Sequence, residues 1–126
     1  MPGPKILIVE DSVTMRQLLG FALNRLGAVE IIEAGDGLEA LKILRSGQKI
    51  DVALVDINMP VMDGFKLIQH IRQDLKMDDL PIVVITTESK PETVEKARSL
   101  GVNHYITKPI RQSDVLEKVR GLLKGT

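Results

Sequence analysis

The sequence predicts an α/β fold in which helices cover both faces of one parallel sheet. Three observations carry that reading. Short β-branched or aliphatic runs alternate with helical periodicity five times along the chain. Three of those runs, Ile6 to Val9, Val52 to Val55 and Ile82 to Ile85, are apolar throughout, as strands covered on both faces by crossover helices are. The breaks in the apolar pattern fall at the carboxyl ends of the runs, where Glu10, Asp11, Asp56, Thr86 and Lys108 stand.

In chain order, the predicted strands occupy residues 5–10, 29–33, 51–55, 81–86 and 103–106. The first helix is read from Met15, Leu18, Leu19, Ala22 and Leu26, and Gly27 follows where a left-handed cap is wanted. Ala40, Leu41 and Leu44 mark the second helix, and Phe65, Ile68, Ile71 and Leu75 the third. Ser89 with Glu92 forms a capping-box pattern ahead of the fourth, in which Pro91 lacks only an N–H that a first turn does not use. That helix carries Val94 and Ala97 and is closed by Gly101. Val115, Leu116, Val119 and Leu122 mark the fifth, and residues 124–126 are expected to fray.

A chain of 126 residues and 13.9 kDa suits a single domain, residues 1–126, with no room for a separate catalytic unit. Its 17 basic and 17 acidic side chains balance, so a general electrostatic grip on nucleic acid or an anionic membrane is not expected. No apolar run approaches the roughly 18 residues of a membrane helix, and the expected setting is cytoplasmic. The absence of Cys removes disulfides, thiolate chemistry and Cys-ligated zinc together. With Phe21, Phe65 and Tyr105 as the only aromatics, the core must be aliphatic, and stacking of a flavin or of single-stranded bases is disfavoured.

In an open parallel sheet, ligands bind just outside the carboxyl ends of the strands. If the first and third strands are neighbours, Glu10, Asp11 and Asp56 converge there. Three crowded carboxylates raise one another's pKa unless a cation neutralises them, and an all-oxygen donor set suits Mg²⁺ or Mn²⁺. Lys108 and the Thr86 hydroxyl would add an ammonium and a donor, which makes a site for an incoming phosphoryl group. Each residue alone has an ordinary explanation: a turn for Asp56, β-propensity for Thr86, surface charge for Lys108, packing for Tyr105. The joint pattern at four strand ends does not.

These residues resemble a known family. Glu10-Asp11, Asp56-Ile57-Asn58-Met59-Pro60 with Asp63-Gly64, Ile85-Thr86-Thr87-Glu88, and Tyr105-Ile106-Thr107-Lys108-Pro109 together look like a two-component response-regulator receiver domain, over essentially the whole chain. The resemblance implies a flavodoxin-like (βα)5 three-layer sandwich with strand order 2-1-3-4-5. It implies that Asp56 is the phosphoacceptor, supplied by a histidine kinase. Mg²⁺ would be held by Asp11, Asp56 and the Asn58 backbone carbonyl, with Glu10 acting through water. Lys108 and Thr86 would meet the phosphoryl oxygens, and Thr86 and Tyr105 would form the switch. Pro109 suggests a cis peptide that aims Lys108 inward. The chain would then be a phosphoacceptor that catalyses its own phosphorylation and dephosphorylation, not a turnover enzyme. The stand-alone chemotaxis regulators are the nearest pattern: a monomer acting on the flagellar motor switch, with a phosphatase as a further partner. Asn58 and Glu88 match the enteric members of that group, whereas Ile57 replaces their Trp.

Three rivals compete. Gly35-Asp36-Gly37-Leu38-Glu39-Ala40 matches a dinucleotide fingerprint, but it follows the second strand, and Asp36 would face the pyrophosphate. A haloacid-dehalogenase-type, Mg²⁺-dependent phosphatase also uses a strand-end Asp, yet it needs a second Asp where this chain has Asn58. A phosphorelay intermediate would pass the phosphoryl group to a histidine phosphotransfer protein, a role that an aromatic at Tyr105 argues against. His70 and His104 are read as ordinary positions, and Met59 and Met62 as adaptable packing.

Overall fold

The computed structural model describes residues 3–124. The elements alternate as β1 (Lys5–Val9), α1 (Val13–Asn24), β2 (Glu30–Ala34), α2 (Gly37–Arg45), β3 (Val52–Asp56), α3 (Gly64–Gln69), β4 (Ile82–Thr86), α4 (Pro91–Ser99), β5 (His104–Thr107) and α5 (Gln112–Lys124). All four strand pairs are parallel and the sheet runs β2-β1-β3-β4-β5, the order expected. Among the described residues no helix is long and apolar enough to cross a membrane.

Strand alternation divides the core in two. Leu7, Val9, Ala53, Val55, Ile82 and Val84 point to the face covered by Leu41 and Leu44 of α2, Leu67 and Ile68 of α3 and Ala97 of α4. Ile6, Ile8, Val52, Leu54, Val83 and Ile85 point to the other, where Leu19 and Leu23 of α1 meet Val115 and Val119 of α5. Both layers are aliphatic, so burial of branched side chains supplies the driving force, about 1.5 to 3 kcal/mol for each fully buried residue. Gly27 and Gly101 lie at φ 102° and 73°, left-handed turns that only glycine adopts freely.

Four sequence expectations are corrected. β2 begins at Glu30, because the Val29 N–H is taken by the Gly27 carbonyl at 2.9 Å. β5 begins at His104, since Asn103 bonds Ile82 through its side chain as well as its backbone. The capping box at Ser89 does not form. Lys90 is the residue before the helix, with no side-chain cap, because Pro91 at the helix start holds its predecessor in an extended conformation. Of the expected frayed end, Lys124 is still helical and residues 125–126 lie outside the described residues.

The third helix departs further, for after Gln69 it widens into a π turn over His70–Asp74. That turn closes with the Leu75 N–H on the His70 carbonyl at 2.9 Å. Arg72 extends from it to donate to the carbonyls of Leu100 (2.9 Å), Met77 (2.6 Å), Leu80 (2.9 Å) and Gly101 (2.9 Å). Burial lowers the Arg72 pKa from its usual value, against the pull of Asp78 and Asp79. One guanidinium therefore ties the segment before β4 to the segment before β5. Arg72→Met, which leaves those carbonyls without their donor, is expected to cost about 3 kcal/mol in urea unfolding; a loss below about 0.5 kcal/mol would mean that water replaces it.

Candidate functional site

Strand order brings the carboxyl ends of β1, β3 and β4 side by side. Glu10, Asp56 and Thr86 are the buried polar residues there, at 2%, 3% and 0% exposure, while Asp11 is open to solvent. Carboxylate oxygens of Glu10, Asp11 and Asp56 lie within 4.8 Å of one another. The backbone has to come close to allow this. A Cβ on Gly64 would sit 2.4 Å from the Asp56 carbonyl oxygen, so the start of α3 can pass behind the strand end only without a side chain. Asp63 caps that helix by accepting from the Lys66 N–H at 2.9 Å.

Lys108 reaches in from the β5–α5 connection, with its Nζ 3.0 Å from Glu10 Oε1 and 3.6 Å from Asp56 Oδ1. Its N–H donates to the Thr86 carbonyl at 2.7 Å, and the Lys108–Pro109 peptide is cis. Asn58 stands beside Asp56, its N–H on Asp56 Oδ1 at 3.3 Å.

The charges do not balance. Burial pushes the Asp56 carboxyl up, and Lys108 opposes that without cancelling it. Asp11 is also raised, first by a hydrogen bond shared with the Glu10 carboxylate, then by burial and the Glu10 charge. Burial pulls Lys108 down, but contact with Glu10 and Asp56 outweighs it and the ammonium is raised overall. The shifts describe partly dehydrated carboxylates crowded around one ammonium. Its donors are all oxygens, which suits a hard divalent cation.

Thr86 Oγ accepts from the Glu88 N–H at 3.1 Å and from the Asn58 amide at 3.4 Å. Both lone pairs are then taken, and the hydroxyl proton is what it has to offer. The Tyr105 hydroxyl donates to the Glu88 carbonyl at 2.7 Å while its half-buried ring packs against the α2–α4 side of the core. Burial raises its pKa, with the Glu88 charge adding.

Residues set aside in the sequence lie elsewhere. His70 pairs with Asp74 on the π turn, and half-buried His104 opens β5. The apparent dinucleotide motif is a helix cap, with the Asp36 carboxylate accepting from the Glu39 N–H at 2.8 Å. Met62 packs where a Cβ on Gly37 would fall, 2.9 Å away.

Sequence reasoning missed Arg16 and the role of Glu88 as a junction. Arg16 donates to the Glu10 carbonyl at 2.6 Å and pairs with Glu33 at 3.0 Å. Besides its backbone bonds, Glu88 accepts from the Thr93 hydroxyl of α4 at 3.1 Å. A lone Arg or Glu on a helical or loop pattern carries no signal of such partners.

The chain matches the response regulator receiver domain family over residues 6–120. It belongs to that family. Among relatives of this receiver, the Vibrio cholerae chemotaxis protein CheY-3 is 43% identical over 115 residues, 91% of this chain and 88% of that protein. A Campylobacter jejuni chemotaxis protein CheY homolog is 39% identical over 119 residues, 94% of this chain and 92% of that one. Among solved structures, Vibrio cholerae CheY4 superposes with a TM-score of 0.87 at 32% identity, covering 96% of this receiver and 99% of that chain. A CheY-like receiver domain protein from Methanospirillum hungatei gives 0.87 at 26% identity, covering 98% and 95%. The receiver is thus closely related to chemotaxis regulators.

Because the folded receiver holds the Asp56 proton more tightly than the unfolded chain, this group's stabilising contribution is full at low pH and is lost as pH rises through the folded-state value. Ionised Asp56 is therefore a net cost at neutral pH. Asp56→Asn is expected to be more stable than the parent at pH 7, with the difference closing below about pH 4. Urea unfolding at both pH values measures this, and a less stable Asp56→Asn at pH 7 contradicts it.

Proposed function

We propose that this receiver takes a phosphoryl group from the phosphohistidine of a histidine kinase onto Asp56 and signals through a protein-binding surface that the phosphoryl group switches. The observation that carries the reading is a buried carboxylate, Asp56, 3.6 Å from the Lys108 ammonium and inside a trio whose carboxylate oxygens lie within 4.8 Å of one another. An Asp56 carboxylate oxygen forms the new bond to phosphorus as the P–N bond breaks. The imidazole, protonated on its other nitrogen, leaves as a neutral ring. Mg²⁺, for which Mn²⁺ can substitute, would be held by Asp11, Asp56 and the Asn58 backbone carbonyl, and supplies positive charge to the transferring oxygens. Glu10 acts through water, since its two oxygens already accept from the Ser12 N–H and from Lys108, each at 3.0 Å.

Lys108 then exchanges part of its contact with Asp56 for a phosphoryl oxygen, and the Thr86 hydroxyl donates its free proton to another. The relatives' chemotaxis names support a role in chemotaxis; within that role our reading is a cytoplasmic monomer whose output is the flagellar motor switch and whose signal a phosphatase shortens. In this reading the chain is not a turnover enzyme. Asn58, two residues after Asp56, has no carboxyl with which to shuttle a proton, so the phosphatase reading is not favoured. The similarity to chemotaxis regulators favours a direct readout over a relay.

Incubation with a phosphoramidate and Mg²⁺ is expected to add one phosphoryl group to the parent and none to Asp56→Asn, by intact mass; equal labelling of Asp56→Asn overturns the assignment. Asp11→Ala is expected to weaken Mg²⁺ binding by at least an order of magnitude and to abolish labelling at millimolar Mg²⁺. Tyr105→Ala is expected to label at close to the parent rate, because Tyr105 touches neither phosphorus nor metal. Its phosphorylation-dependent affinity for motor-switch protein should change by about 5- to 150-fold, the usual range of coupling between sites. An unchanged dependence would leave Tyr105 as packing.

A further inference from the structure

Arg16 lies outside the carboxylate trio, yet it governs the peptide on which two of the three are mounted. At the end of β1 the Glu10 N–H still donates to the Ala34 carbonyl at 3.0 Å, the last rung toward β2. The Glu10 carbonyl instead receives Arg16 Nη1 at 2.6 Å. The same guanidinium is anchored through Nε on Glu33 Oε1 at 3.0 Å, and its side chain is largely buried. Arg16 is brought there by the first turn of α1, where Ser12 caps the helix on the Met15 N–H at 3.2 Å and accepts the Arg16 N–H at 3.0 Å.

A peptide unit is planar, so a carbonyl oxygen fixed in space also fixes the nitrogen and Cα of the next residue. That next residue is Asp11. We infer that Arg16 is a positioning residue for the divalent cation: it orients the Glu10–Asp11 peptide so that the exposed Asp11 carboxylate stays within reach of Asp56 and Glu10. The inference rests on the cation site proposed above. It adds a residue that touches neither the cation nor the phosphoryl group. Nε and Nη1 meet the two acceptors from one rigid planar fork, whereas a lysine ammonium is a point charge on a flexible stem with no such fixed geometry.

Isothermal titration with Mg²⁺ on the folded, unphosphorylated chain tests this, comparing the parent with Arg16→Met, Arg16→Lys and Glu33→Ala. Loss of a residue that orients metal ligands typically weakens metal affinity by about 10- to 100-fold. Arg16→Met is expected at about the lower end of that range, with Arg16→Lys and Glu33→Ala between it and the parent. Phosphoramidate labelling provides a second readout. The Mg²⁺ concentration for half-maximal rate should rise with the measured Kd, while the rate at saturating Mg²⁺ stays close to the parent's. Thermal unfolding without Mg²⁺ separates this from a general loss of stability.

A lowered unfolding midpoint with an unchanged Mg²⁺ Kd would overturn the inference and leave Arg16 as a structural tie. Should Arg16→Met fail to fold, Glu33→Ala decides: it removes the Nε acceptor and keeps the guanidinium, and an unchanged Kd there overturns the inference equally. If the parent itself binds no Mg²⁺, the cation site falls, not Arg16 alone.

Discussion

Oxygens of three carboxylates lie within 4.8 Å of one another, one ammonium touches two of the three at 3.0 and 3.6 Å, and those two are almost out of water. Placing like charges so close is unfavourable in any fold, and more so where the surroundings are dry. The architecture is what imposes it. Parallel strands in the order β2-β1-β3-β4-β5 bring the ends of β1 and β3 together, and the aliphatic layers on both faces fix the strands in depth. Core burial therefore supplies the free energy that keeps an unfavourable charge cluster assembled. Lys108 relieves part of the repulsion, and a divalent cation, which the all-oxygen donor set could hold, would relieve more.

The three carboxylates are not equivalent, and their hydrogen bonds separate them. Glu10 is held from both oxygens, by the Ser12 N–H and by Lys108, each at 3.0 Å, which makes it a brace. Asp56 has longer contacts, 3.3 Å to the Asn58 N–H and 3.6 Å to Lys108. A buried anion with long, weak partners has more to gain from a new bond than one already satisfied. Asp11, exposed beyond both, is the carboxylate a solvated cation can meet first. Chemical division of labour follows from burial and hydrogen bonding alone, since the side chains are nearly the same.

What was legible in the sequence was whatever depends on periodicity and on position along the chain. Apolar alternation located the strands, and the polar residues at their ends located Glu10, Asp11, Asp56, Thr86 and Lys108 on one edge. Partnerships across the fold were not legible. Arg16 and Arg72 look like ordinary exposed helix residues, because nothing local records that one will meet the Glu10 carbonyl and the other four carbonyls from two loops. The π turn after Gln69 was hidden because Phe65, Ile68, Ile71 and Leu75 keep a spacing compatible with a plain α-helix. At Ser89 a local signal was overridden by a stronger one: the proline at the helix start dictates the backbone before it, whatever side chain stands two residues earlier.

The same limit applies to the proposed switch. Thr86 and Tyr105 can be picked out by place and type, but the element joining them is Glu88, which meets each partner through a different group. Its N–H donates to Thr86 Oγ, its carbonyl accepts from the Tyr105 hydroxyl, and its carboxylate accepts from Thr93 on α4. In the proposed reaction, Thr86 turns its hydroxyl toward the phosphoryl group and changes its hold on the Glu88 N–H. N–H and carbonyl belong to adjacent rigid peptide planes, so rotation at Glu88 re-aims the acceptor that Tyr105 uses. The carboxylate carries the same rotation to the first turn of α4. A single loop residue thereby connects the reacting edge of the sheet to β5 and α4, and the signal needs no movement of the aliphatic core that holds the acidic cluster in place.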